Sequence, residues 1–281
     1  MEKLKIFVCA HKADSRIRNN APYVPIHGGK AVHPDLDLGF GGDNTGDNIS
    51  EKNPMYSEWS VIYWMWKNCK DAEYIGLNHY RRYFELDITS DNVDKVLAGV
   101  DLVAVWNKNS SKCSRLQDLA NVTSWEDAYL FADSILSVHP DSKEALLKYL
   151  YNSTDSFPYS MFIMRRKLFD DYCNFMFPVL FDLEQRIKPH GYSRQQRVLG
   201  YFGEFSLGLF VLYKNLKVKN GGLVSFDKPK EGKMRRVLKF FRNVFFCRIP
   251  EILVPVPKNI SVPESIKVGL KNDGITLKSL S

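Results

Sequence analysis

Apolar positions along the chain follow two periods, and each predicts a different kind of element. Leu4 to Ala10 (LKIFVCA) is a short β-branched and aromatic run without helical spacing, which predicts a buried strand ending at His11 and Lys12. Tyr74 to Leu77 predicts a second buried strand, carrying NHYRRYF (78 to 84) at its C-terminal end, where open α/β sheets gather functional groups. Between them Tyr56, Trp59, Tyr63 and Trp66 recur at helical spacing; Pro54 suits a first turn and Asn48 or Ser50 can cap it, so a helix to about Cys69 is predicted. Its aromatic stripe reads as core packing against a sheet rather than as a carbohydrate platform. Residues 13 to 50 show neither period. They are polar and carry Gly39, Gly41, Gly42 and Gly46, which predicts a long functional loop over a binding site.

Farther along, a short helix over Asn92 to Val100 leads into a strand over Asp101 to Trp106, a β-α-β alternation that argues for a parallel or mixed sheet. SWED (124 to 127) caps a helix to about Ser137, and Ser142 to Tyr151 supplies another, together a helical insertion on the acceptor side. Tyr159 to Met164 is strand-like, Lys167 to Ile187 a long helix and Gly203 to Asn215 a further one; Leu216 to Val218 and Leu223 to Phe226 close the domain as short strands. The expected fold class is α/β: one Rossmann-type domain over residues 1 to 227 with a mixed, mostly parallel sheet, followed by a basic tail over 228 to 281. In the tail Val237, Phe240, Phe241, Val244 and Phe245 form an apolar helical stripe with Arg235, Arg236, Lys239 and Arg242 around it. Such a helix docks on its own protein or a dimer partner, or lies in an anionic membrane interface. Pro250, Pro255, Pro257 and Pro263 predict an extended, surface-held end.

Composition narrows the class. With 281 residues, 44% hydrophobic and 25% charged, the chain is not disordered, and no run of about 20 apolar residues offers a spanning helix. The N-terminus enters its first strand without the shape of a signal peptide, so the expected location is the cytoplasm. Cys9, Cys69, Cys113, Cys173 and Cys247 show no CxxC spacing and read as buried free thiols. The net charge of +7 belongs to the tail: residues 228 to 281 hold 12 Lys/Arg against 4 Asp/Glu, leaving 27 against 28 before them. That distribution gives little support to a nucleic-acid partner.

Arg81 and Arg82, flanked by His79, Tyr80 and Tyr83, offer bidentate donors matched to phosphate oxygens, with aromatic faces for a base or sugar. The plainer alternative is that one of the pair points outward as a solvated edge residue or bridges to a carboxylate. In GGDNTGDNIS (41 to 50), Asp43, Asp47 and Asn48 suit either sugar hydroxyls or the cap of the next helix, and no GKS or GKT follows to make a P-loop. Glu204 stands between a glycine and an apolar helical run. At a helix N-terminus it is either a general base for an acceptor hydroxyl or an ordinary first-turn glutamate. His11, His27, His33 and His79 lack metal-site spacing, and Asp35-Leu-Asp37, though literally a DxD, lies within the polar loop rather than at a strand end. The expectation is therefore metal independence, with arginines in place of Mg²⁺ or Mn²⁺.

The blocks KIFVCAHK (5 to 12), PIHGGKA (25 to 31), DNTGDNISEKNPMYSEWSVIYWMWKN (43 to 68), YIGLNHYRRYF (74 to 84), PYSMFIMRRKLFDDYC (158 to 173) and RVLGYFGEFSLGLF (197 to 210) strongly resemble a bacterial family. It is the capsular and exopolysaccharide glycosyltransferase family long carried as a domain of unknown function, with members similar to galactofuranosyltransferases. The resemblance covers residues 3 to about 226. It implies a GT-A-like α/β domain moving a sugar onto a lipid-linked oligosaccharide, with galactofuranose from UDP-galactofuranose as the implied donor. The motif positions carried over are His11, Asp43, Asp47, Asn48, His79, Tyr80, Arg81, Arg82, Arg197 and Glu204. Relatives often have cysteine or a small residue at the position of Asn78, and arginine at that of Phe205.

Together these readings predict an inverting transferase. His11, His79, Tyr80, Arg81, Arg82 and Arg197 would meet the nucleotide and its diphosphate, Asp43, Asp47 and Asn48 the sugar or acceptor, and Glu204 the proton. The expected partners are a UDP-sugar donor, a polyprenyl-linked acceptor and, through the tail, the anionic inner face of the cell membrane. The alternative from another class is a non-catalytic polysaccharide- or nucleic-acid-binding module.

Overall fold

The computed structural model describes residues 2–107, 113–191, 195–227, 232, 234, 237, 238, 241, 242, 245 and 255–280. They form two compact units that interleave along the chain, one of Met1–Trp106, Phe157–Asn174 and Leu216–Pro229, the other of Asn107–Ser156, Phe175–Asn215 and Lys230–Ser281. The expected division at residue 227 is not the one the chain makes, because the end of the chain belongs to the second unit.

The first unit is built on an eight-stranded sheet. The first strand, β1 (Glu2–Ala10), lies between β2 (Tyr23–His27) and β3 (Ala72–His79), parallel to both. Next come β6 (Phe162–Arg165), antiparallel to β3, then β5 (Leu102–Ala104) and β7 (Val218–Asn220). On this path β6 alone runs against the others, so the sheet is mixed and mostly parallel, as expected. A short return strand, β4 (Arg82–Tyr83), pairs with the end of β3 and with β8 (Val224–Ser225). Leu4, Ile6, Val8 and Ala10 of β1 pack with Tyr74, Tyr83, Phe84, Val103 and Ile163 on one face of the sheet. On the other face, Phe7 meets Trp64 edge-on at 5.9 Å. Being buried on both faces is why these strands read as apolar runs.

Two departures from expectation matter. β2 lies within the stretch expected to be loop; it holds Pro25, which an edge strand tolerates because, away from β1, its backbone is joined among the described residues by an isolated bridge from His27 to Gly42 rather than by a ladder. The helix expected to run unbroken to Cys69 is a turn at Ser50–Lys52 followed by α1 (Asn53–Tyr56) and α2 (Trp59–Asn68). The break falls at Ser57, whose φ of 53° lies in the left-handed region. The short helix expected before β5 is present as α3 (Val93–Val96).

The second unit is helical: α4 (Arg115–Val122), α5 (Trp125–Val138), α6 (Lys143–Leu147) continued by a π turn to Asn152, the later part of α7 (Arg166–Arg186), α8 (Val198–Tyr213) and α9 (Glu264–Asn272). Ser124 caps α5 by accepting from Asp127 N–H, as its sequence predicts. Phe131 stacks on Phe202 at 5.0 Å in its core. The end expected to be an extended tail instead carries α9, and Ile260, Val262, Leu270, Ile275 and Leu280 are buried. Of the expected basic helix, Val237, Phe241 and Phe245 are described and exposed. Arg235, Arg236, Lys239, Phe240, Val244, Cys247 and Pro250 lie outside the described residues. Cys9, Cys69 and Cys173 are buried free thiols and Cys113 is half-buried. No helix among the described residues is long and apolar enough to cross a membrane.

Candidate active site at the strand ends

Parallel strands converge their C-terminal ends, and here β1 and β3 deliver His11 and the 78–84 segment to one edge of the first unit. Cys9 is in register with His79, and Tyr80 N–H donates to the Cys9 carbonyl at 3.1 Å. Exposed His11 meets Tyr80 edge-on at 5.2 Å. The return of β4 then brings Arg81 and Arg82 beside Asp227, just after β8. Arg81 donates to Asp227 Oδ1 at 3.1 Å and Arg82 to Oδ2 at 2.8 Å, so one carboxylate spans both guanidinium groups. Arg81 Nε also reaches Asp14 at 3.2 Å, and Asp14 takes two bonds from the Arg16 side chain, at 2.7 and 2.6 Å. Arg16, through these bonds, holds the Asp14 carboxyl well below the usual carboxylate range.

Three guanidinium groups thus share two carboxylates, which leaves the edge net positive. The carboxylate-bridging alternative is what the structure holds for both arginines. It also displays a bidentate oxyanion geometry on them, the kind a phosphate presents.

Beside Arg82 lies a turn that the sequence did not signal. Tyr159 and Ser160, with φ of 70° and 50°, are consecutive non-glycine residues in the left-handed region. Arg82 lies over the Tyr159 ring at 4.5 Å. His79 Nε2 is 2.6 Å from the Tyr159 carbonyl, which can only accept, so that nitrogen carries the proton. Ser160 Oγ donates to Glu58 Oε1 at 3.0 Å. Burial, and then the negative charges of Glu58 and Asp43, push the Cys9 thiol well up. Asn78 is fully buried, and neither polar atom of its side-chain amide has a hydrogen-bond partner among the described residues.

The loop expected to touch sugar is instead fastened into the scaffold. Asp43 is fully buried: its carboxylate accepts from the backbone N–H groups of Gly29 and Lys30, at 3.0 and 3.1 Å, and from the hydroxyls of Ser50 and Ser60, at 2.5 and 2.6 Å. A carboxylate so enclosed has no face for a ligand, and Asp43 is corrected from sugar contact to structural hub. Gly29, at φ +73°, is required there, since a Cβ would meet Asn53 Oδ1 at 2.6 Å. Exposed Asp47 accepts from Tyr63 at 3.0 Å, and its backbone N–H donates to Asn68. Asn48 closes a local turn, accepting from Ser50 N–H while its amide donates to the Gly46 carbonyl. Trp64 donates to Thr45 at 2.9 Å. Asp35 and Asp37 are exposed in the same loop, and among the described residues no group of three or more His, Cys, Asp or Glu is arranged for a metal ion.

Arg197 and Glu204 belong to the second unit. α8 begins at Val198, so Glu204 stands in its second turn, and the first-turn dipole argument made from the sequence does not apply. Its charge, with that of Asp118, acts on Arg115, a buried guanidinium over the Phe205 ring at 4.2 Å. Arg197 is the N-cap of α8 and makes no side-chain capping bond.

With this geometry in hand, three comparisons bear on what the edge does. The family described as "Domain of unknown function (DUF4422)" matches residues 5–215. The solved apo structure of WbbM, a bifunctional glycosyltransferase, superposes with a TM-score of 0.72 at 26% sequence identity, over 80% of this chain and 46% of that one. The chain therefore spans just under half the length of that enzyme, and the match agrees with the expected α/β fold. No curated protein matches.

Proposed function

The chain belongs to the DUF4422 family, and from that premise we propose that it is a glycosyltransferase using a nucleoside diphosphate sugar. The observation that carries the reading is the paired Arg81 and Arg82 at the strand ends, bridged by the two oxygens of Asp227. The likeness to a glycosyltransferase supports the same reading. In the reaction, the diphosphate takes over the place of the Asp227 carboxylate, and the guanidinium groups stabilise the negative charge that grows on it as the sugar departs. Such preorganised charge stabilisation is usually the largest catalytic contribution. His79, fixed by the Tyr159 carbonyl, and Tyr80 with His11 flank the same edge.

Galactofuranose from UDP-galactofuranose is the donor favoured by the family resemblance, transferred with inversion to a lipid-linked oligosaccharide of a surface polysaccharide. The exposed apolar side chains of Met234, Leu238, Phe241 and Phe245, in a segment rich in Lys and Arg, support contact with the anionic membrane that carries such an acceptor. The arginines do the work a divalent ion would otherwise do.

The test is a comparison of ligands. UDP raises the melting temperature, since a ligand selective for the native state stabilises it by mass action, and a DNA oligonucleotide of equal concentration does not. In a panel of UDP-sugars, at least one releases UDP. Stabilisation by DNA with none by UDP would instead establish a binding module.

A further inference from the structure

We infer that Glu58, at the corner between α1 and α2, is the general base that takes the acceptor's proton. The inference rests on the transferase reading and moves the role away from Glu204. Three of the described non-glycine residues with positive φ, Ser57, Tyr159 and Ser160, adjoin this carboxylate: Ser57 precedes it in sequence and Ser160 donates to it at 3.0 Å. Unfavourable backbone concentrated around one side chain persists only where surrounding structure enforces it.

That enforcement is visible. Asn53 donates to the Ser57 carbonyl and to Ser60 Oγ, both at 2.8 Å, and Ser60 Oγ in turn donates to Asp43. The buried Asp43 hub therefore holds the backbone that presents Glu58. Glu58 occupies the N-cap of α2, and its side chain is not spent on capping that helix. It is half-buried, unlike Asp43. It also has the right neighbours. The Tyr159–Ser160 turn that holds it also receives His79 at the Tyr159 carbonyl and Arg82 over the Tyr159 ring. A single two-residue turn thus ties the proton acceptor to the group that holds the leaving diphosphate.

In the step, the acceptor oxygen bonds to C1 of the sugar as the bond from C1 to the phosphate oxygen breaks. The electron pair leaves with UDP, and the hydroxyl proton passes to the Glu58 carboxylate.

Glu58→Gln should lower UDP release from the active UDP-sugar about 100-fold or more, with the melting shift caused by UDP unchanged. Glu58→Ala should regain part of its turnover when formate is added as a replacement carboxylate. Near-normal turnover in Glu58→Gln, or no response of Glu58→Ala to formate, overturns the assignment. Glu204→Gln run in parallel separates the two glutamates, because a loss confined to it returns the role to the second unit. Should Glu58→Gln fail to fold, Ser160→Ala leaves the carboxylate in place but removes the hydroxyl that donates to it, and should cost roughly 10-fold or more in turnover; wild-type turnover there overturns the proposal. If the wild-type protein releases UDP from none of the sugars, the transferase reading itself falls and the base with it.

Discussion

Each unit contains a cluster of arginines and aspartates, and the two behave as opposites. In the helical unit Asp133 is fully buried and accepts from Arg186 at 2.5 Å and from the backbone N–H groups of Ser279 and Leu280 at 2.7 and 2.8 Å. Asp182 takes Arg186 at 2.8 Å and pairs with Lys278, so two cations balance two anions. In the sheet unit Arg16, Arg81 and Arg82 share the carboxylates of Asp14 and Asp227, three cations to two anions among the described residues, and both Arg81 and Arg82 are partly open to solvent. A balanced, buried cluster fastens chain to chain, here the last residues onto α5 and α7. An unbalanced, half-open one has charge to spare for a ligand.

The contrast breaks most sharply at Asp133. Asp133→Ala takes one of two carboxylates from a largely buried Arg186, which keeps Asp182, and leaves the backbone N–H groups of residues 278 to 280 without their acceptor; at about 1 to 3 kcal/mol for each buried donor left unsatisfied, it should destabilise the protein by about 3 kcal/mol or more. Denaturant titration measures it. The melting shift produced by saturating UDP should remain. Losing that shift while the protein still folds would tie the closed cluster to the site and blur the distinction.

Arg82→Ala tests the open cluster. Hydrogen bonds to charged groups contribute about 1.5 to 3 kcal/mol, so UDP affinity should fall roughly 10- to 100-fold. Stability should change little, since pairs this exposed contribute about 0 to 1 kcal/mol. Calorimetric titration with UDP reads the first and denaturant the second. Unaltered affinity would remove the arginines from diphosphate binding.

The same contrast explains what could be read from the chain. β1 and β3 were legible because burial on both faces writes an apolar run into the sequence, and Arg81 and Arg82 because adjacent arginines at a strand end are conspicuous. Their carboxylates were not: Asp14 lies 67 residues from Arg81, and Asp227 lies 146. Glu58 escaped for a local reason, since Tyr56, Trp59 and Tyr63 keep helical spacing straight through the break at Ser57 and no glycine marks it. Gly200 and Gly203 had the reverse effect. They lie inside α8, which starts at Val198, and glycine's low helix propensity made Glu204 look like a first-turn residue. Asp43 looked like ligand chemistry because an aspartate in a glycine-rich loop has one appearance whether it faces solvent or four nearby donors; only burial separates the two.

The finest test of the open cluster is Asp227→Asn. Asp227 spans both arginines, so a diphosphate must displace it, and its charge competes with the incoming ligand for the same donors. An asparagine keeps the shape but presents one acceptor oxygen and no charge, which weakens the resting contact without adding any to UDP. Affinity for UDP should therefore rise, by about 2- to 5-fold, corresponding to the ~0.5 to 1 kcal/mol of a partly exposed pair. Because the competition is electrostatic, the gain should shrink as salt is raised past about 0.15 M, where the screening length falls below ~8 Å. A loss of affinity would mean that Asp227 orients the arginines for the diphosphate instead of occupying its place, and the open cluster would then be as purposefully closed as the one around Asp133.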